Sequence, residues 1–129
     1  MFASWRGIAF EELCLQHISQ IKYALNIGGV SSQESSLIIK GNEEKDGMQI
    51  DLLIDRADDV VNICEMKFYL SPYTITKSYT QVLGSRLQAM QEKYPSKTFH
   101  LTYIGNTELT KNEYSDLFVS CVTLEELFT

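Results

Sequence analysis

Two hydrophobic periods divide the chain. Across residues 6–26, apolar side chains return at Phe10, Cys14, Ile18, Ile21 and Leu25, with Leu13 and Ala24 widening the stripe. That spacing predicts one amphipathic helix. Asn26 followed by Ile27-Gly28-Gly29 predicts its end, because glycine accepts the left-handed conformation that closes helices. Residues 29–40 start polar and end in Leu37-Ile38-Ile39, which predicts a strand toward the end of that stretch. The charged, glycine-bounded residues 41–47 read as an exposed loop; their acid spacing does not match a calcium-binding EF-hand.

Period two then takes over. Over residues 48–56, Ile50, Leu52 and Ile54 fall on one face and Asp51, Leu53 and Asp55 on the other. Over residues 60–68, Val61, Ile63, Glu65 and Lys67 share a face, opposite Val60, Cys64, Met66 and Phe68. Both faces of both segments are largely apolar, as expected of central strands covered on each side. A helical stripe resumes over residues 74–94 with Ile75, Tyr79, Val82, Leu83, Leu87, Met90 and Tyr94, and Pro95 ends it. Residues 97–104 are β-branched and aromatic and predict a strand. After a turn at Gly105-Asn106, a short helical turn is expected near 112–116 and a short strand over 118–122. Thr123-Leu-Glu-Glu126 matches a capping box at the start of a terminal helical turn. The expected fold is therefore α/β or α+β, one domain over residues 1–129, with helices covering a mixed sheet of about five strands.

Composition narrows the function. The 129 residues suit one core, 44% are apolar and 22% charged, and no stretch is long and apolar enough to cross a membrane. The first residues lack the basic start and apolar run of an export signal. Cys14, Cys64 and Cys121 are widely spaced and lie in apolar patterns, which points to reduced cysteines in a cytoplasmic protein rather than a zinc site. His17 and His100 also lie in apolar patterns and read as structural. The net charge of −6 argues against a broad basic nucleic-acid surface, but not against a small cleft whose sign a divalent cation reverses.

The chemistry concentrates in the strand pair. Asp51, Glu65 and Lys67 are charges on strands that must be buried, and burying charge is costly. The turn decides how the acids meet. An odd connection such as residues 57–59 sets Asp51 opposite Glu65, whereas an even one sets it opposite Cys64 and lets the acids meet only diagonally. Asp55 shares Asp51's face but lies about 13 Å along the strand at about 3.3 Å per residue, out of reach. On the first helix, Glu11 projects with the apolar side and Glu12 with the polar side; Glu11 reads either as a fourth member of the site or as an acid favoured by the helix N-terminal dipole. Carboxylates are hard oxygen ligands suited to magnesium or manganese. A lysine beside such an ion can hold an attacking water and offset charge on a phosphate. Lys77 and Gln81, four apart on the second long helix, are candidate supporting groups. The competing use of Asp51, Glu65 and Lys67 is a buried ion-pair network, which contributes little compared with apolar packing.

These residues resemble the PD-(D/E)XK nuclease superfamily with its restriction-endonuclease-like fold: a helical Glu11, then Asp51, then Glu65-Met66-Lys67, then a helix carrying Lys77. More narrowly, Trp5-Arg-Gly-Ile-Ala-Phe-Glu-Glu-Leu-Cys14, His17-Ile-Ser-Gln-Ile-Lys22, Gln49-Ile-Asp-Leu-Leu-Ile-Asp-Arg56, Cys64-Glu-Met-Lys-Phe68 and Val122-Thr-Leu-Glu-Glu-Leu-Phe128 look like the C-terminal domain of prokaryotic AAA-type ATPases. The resemblance implies Asp51 and Glu65 as ligands of Mg2+ or Mn2+, Lys67 as the catalytic lysine and Glu11 as an auxiliary acid. It also implies DNA and an AAA-type ATPase domain as partners, with homodimerisation open and no membrane. Ile50 stands where the family's motif has proline, and the chain has no phosphate-binding P-loop. Two function classes follow: a metal-dependent endonuclease domain, or a catalytically inactive module of that fold for protein interaction or ATPase regulation. A purely structural module is a third.

Overall fold

The computed structural model describes residues 5–39, 41 and 48–128. Apart from Gly41, the loop expected at 41–47 lies outside the described residues, as does Lys40 at the end of the strand expected before it. Among the described residues ten elements follow one another: α1 (Trp5–Leu15), α2 (Ile18–Ala24), β1 (Ser32–Ile39), β2 (Met48–Arg56), β3 (Val60–Lys67), α3 (Lys77–Lys93), β4 (Thr98–Gly105), a 3₁₀ turn (Ser115–Leu117), β5 (Ser120–Thr123) and a second 3₁₀ turn (Leu124–Phe128). The strands form one mixed sheet in the order β1-β2-β3-β4-β5. The first two pairings are antiparallel and the last two parallel, with α3 making the crossover from β3 to β4.

The sheet has a core on each side. Phe10, Cys14 and Ile21 of α1 and α2 pack on Leu52, Ile54, Cys64, Met66, Ile104 and Val122. Leu83 and Met90 of α3 pack on Ile50, Leu53, Val61, Ile63, Leu101 and Tyr103. Six consecutive residues of β3, Val61 to Met66, are therefore buried. Such a strand has no solvent face, and its polar residues, Asn62 and Glu65, must find partners inside.

The single helix expected over 6–26 is two helices. His17 leaves helical geometry at φ −122° and ψ 35°, its Nδ1 lies 2.7 Å from the Leu13 carbonyl, and its ring packs edge-on against Phe128 at 5.3 Å. The histidine is thus structural: it satisfies a carbonyl at the break and turns the chain. Asn26, not a glycine, takes the left-handed conformation at the end of α2, with φ 61°; Ile27 N–H then donates to Lys22 O at 2.9 Å. Thr76 accepts from Tyr79 N–H, which starts α3 at Lys77 rather than near residue 74. At the chain's end, Glu126 reaches back to Thr123 N–H at 3.1 Å, the contact the capping box predicts.

The β2–β3 turn has the odd length. Leu52 pairs with Cys64 and Leu53 with Ile63, and residues 57–59 connect the strands, with Asp59 left-handed at φ 64°. On its other edge β2 bulges. Ser35 pairs with Leu53 but Leu37 with Ile50, so β2 spends an extra residue. Strict alternation placed Ile50 with Leu52 and Ile54; the bulge turns it instead into the α3-side core beside Leu53. The residue at the bulge is Asp51.

Candidate active site

Glu65 and Lys67 project from β3 toward α3, and Glu65 is 3% exposed. A carboxylate that deep requires compensation. Arg86 Nη1 donates to Oε1 at 2.7 Å, and the Tyr79 hydroxyl donates to Oε2 at 2.9 Å. Lys67 Nζ lies 3.9 Å from the same Oε2, but its direct bond is to the Tyr79 oxygen at 2.8 Å. Tyr79 therefore bridges the acid and the lysine. The ammonium also sits 4.4 Å from the Tyr79 ring centroid and 5.7 Å from that of Tyr73.

Asp51 arrives from the bulge. Its Oδ2 accepts from the backbone N–H of Met66 at 3.4 Å, the residue between Glu65 and Lys67. The β2–β3 ladder ends at Leu52–Cys64, so the carboxylate takes this amide just where strand pairing stops. Glu11, half-buried on α1, lines a cavity of about 190 Å3 together with Asp51, Gln49, Ser36 and Met66. Burial, and then the Asp51 charge, raise the Glu11 pKa, while Lys67 pulls it the other way. Burial lowers the Lys67 pKa against the opposing pull of Glu65, Asp51 and Glu11. Burial and the Glu65 charge raise the Tyr79 phenol. Glu11, Asp51, Glu65 and Lys67 thus share one electrostatic neighbourhood. Lys77 and Gln81 do not join it: both are exposed on α3 and, among the described residues, neither bonds to these carboxylates.

Aromatic rings floor the site. Tyr69 and Tyr73 stack at 4.9 Å, Tyr73 and Tyr103 at 6.0 Å, and Phe118 meets Tyr103 edge-on at 5.8 Å. The Tyr103 ring lies over Gly105, in the space a Cβ there would occupy. The segment after β3 is tied down by Asn106, whose side chain makes both bonds to the Tyr69 backbone, at 2.9 and 2.7 Å.

No protein-family model matches the chain, and no curated protein matches it at a significant level. Its structure is similar to the crystal structure of a protein of unknown function, AF1548, with a TM-score of 0.55 and 16% sequence identity. The match covers 88% of this chain and 64% of that one, and at this identity it shows a shared fold alone.

Two carboxylates beside a lysine are the donor chemistry of a magnesium site, since Mg2+ is held by one or two protein carboxylates and completes its shell with water and phosphate oxygens. Asp51 and Glu65 would be those donors. Among the described residues, no group of three His, Cys, Asp or Glu side chains converges, which leaves any such ion largely to water and substrate.

The sequence reading missed Arg86 as a site residue, and named Tyr79 only as part of an apolar stripe. The signal was there: Leu83 and Arg86 follow Tyr79 by four and seven residues on one helical face, so a cation stood among core positions. It also missed the row on the opposite face of the sheet. There Arg56 donates to Asn62 at 3.2 Å, Asn62 to Thr102 at 3.0 Å, and Thr102 and Ser120 lie 3.1 Å apart. That row satisfies buried polar groups and carries no reactive one.

Proposed function

We propose that this chain is a domain of restriction-endonuclease-like fold that hydrolyses DNA phosphodiester bonds with Mg2+ or Mn2+, in the same protein as, or as a partner to, an AAA-type ATPase. The observation that carries the reading is the bond from Met66 N–H to Asp51, which draws the acid of β2 onto the Glu65-Met66-Lys67 segment of β3. When bound, the metal polarises the phosphodiester and acidifies a water. Lys67, desolvated and aimed by the Tyr79 hydroxyl, is suited to hold that water and to offset charge on the phosphate. Tyr79 keeps Glu65 and Lys67 apart by taking one bond from the lysine and giving one to the acid. Glu11, whose pKa burial and the Asp51 charge raise, supplies a second acid beside Asp51.

The test is cleavage of supercoiled plasmid and of single- and double-stranded oligonucleotides in Mg2+ or Mn2+. Cleavage is expected, with loss in Asp51→Asn, Glu65→Gln and Lys67→Ala. Activity that survives Glu65→Gln would sink the assignment. A second reading, an inactive module of the same fold that binds protein or regulates an ATPase, is favoured by the net charge of −6 and by the engagement of both Glu65 oxygens. It predicts no cleavage and no Mn2+ binding by the native chain.

A further inference from the structure

The Glu65 carboxylate that the proposed reaction assigns to the metal is already paired. Arg86 and Tyr79 take one oxygen each, and the Arg86 contact is the shorter, at 2.7 Å. A guanidinium stays charged at any pH the fold survives, so proton loss cannot release it. It can be released sideways. Its side chain keeps 20% exposure, and among the described residues its one hydrogen bond goes to Glu65. Swinging into water would therefore break a single hydrogen bond. Lys67, 3.9 Å from Glu65, would stay behind as a counter-charge.

We propose that Arg86 is an internal counter-cation that a divalent metal must displace from Glu65, so that this α3 residue sets the metal affinity of the site. The inference rests on the nuclease reading and adds to it a residue that positions Glu65. Two cations competing for one buried carboxylate cannot both be fully bonded, because each would face the other across a few ångströms in a medium of low polarity. Removing the resident cation leaves Glu65 under-compensated, and a hard divalent ion is then the partner it lacks.

The experiment is Mn2+ titration of the full chain, followed by calorimetry and by electron paramagnetic resonance of the free ion. Wild type is compared with Arg86→Gln, Arg86→Lys, Glu65→Gln and the Glu65→Gln/Arg86→Gln pair. Arg86→Gln is expected to bind Mn2+ at least tenfold more tightly than wild type, Arg86→Lys to gain less, and both Glu65→Gln variants to lose the site. Binding in wild type that Arg86→Gln leaves unchanged or weakens overturns the inference while leaving the nuclease reading intact. Absence of binding in wild type and in every Arg86 variant overturns the nuclease reading, and this inference with it. Circular dichroism reports the fold of each variant. If Arg86→Gln does not fold, Arg86→Lys decides the matter: it keeps a positive charge but loses the planar fork, and equal affinity with wild type counts against the inference.

Discussion

Arg86 and Glu65 should be tightly coupled in stability when no metal is present. Arg86→Met keeps an apolar stem of similar length and deletes the charge, leaving a carboxylate that is 3% exposed without its shortest partner. Breaking a fully buried pair costs about 3–5 kcal/mol. Here the cost should be smaller, about 2–3 kcal/mol, because Lys67 remains 3.9 Å away, Tyr79 still donates, and Arg86 was 20% exposed to begin with. Glu65→Leu should cost less, about 1 kcal/mol, since the freed guanidinium can turn to water. The double variant, with two apolar groups of similar size, should lie within about 1 kcal/mol of wild type. The single effects then exceed the double by at least about 2 kcal/mol, a clear coupling. Urea unfolding at pH 7 with a chelator measures all four proteins, and equal m-values would show that the denatured states match. The coupling should survive 0.5 M salt, which screens exposed pairs such as Arg56–Asp58 far more than buried ones. A double variant that equals the sum of the singles, or an Arg86→Met cost under about 1 kcal/mol, would refute the reasoning.

Gly105→Ala should destabilise the fold by about 2 kcal/mol, because its methyl group overlaps the Tyr103 ring and must push it from its 2.7 Å bond to Thr107; a thermal melt within a degree of wild type would contradict this. With a disulfide-exchange reagent at pH 8, one thiol should react in the native protein and all three after denaturation. Cys14 and Cys64 are buried and burial pushes their thiols up, Cys14 to about 12; partial burial and the Glu126 charge raise the Cys121 thiol as well, but Cys121 is exposed and within reach of the reagent. Because the folded Glu11 holds its proton above the ordinary value of 4.5, its contribution is greatest at low pH and declines as pH rises through the folded value. Glu11→Gln should therefore flatten that decline and, at pH 7 without metal, stabilise the protein by a few tenths of a kcal/mol; a less stable variant at pH 7 would show that charged Glu11 is held by favourable contacts instead.

Much of the architecture could be read from the chain because it depends on local periodicity. The strand pair at residues 48–56 and 60–67 and the common side of Glu65 and Lys67 follow from period two; of the odd and even connections the pattern left open, the structure takes the odd one. The helix on α3 was legible for the same reason, although its start moved to the residue that Thr76 caps. The breaks were not legible where one side chain competes with the backbone, as His17 does between α1 and α2, or where one strand must fit another, as at the Asp51 bulge. A bulge depends on the register of β1, a separate segment, and no pattern within β2 announces it.

The same division holds at the site. By itself the sequence pointed to the groups that share one neighbourhood: two acids and a lysine on central strands, with Glu11 on the inward side of its helix. Only the tertiary structure decided how their charges are balanced. Asp51 turned out to hold the Met66 amide, and Glu65 to be bonded by Arg86 and Tyr79 from a helix that follows β3 by a loop of its own. Periodicity tells which way a side chain points along its own element. Which opposite charge waits there is set by how α3 lies across the sheet, and that is settled by packing the whole core at once.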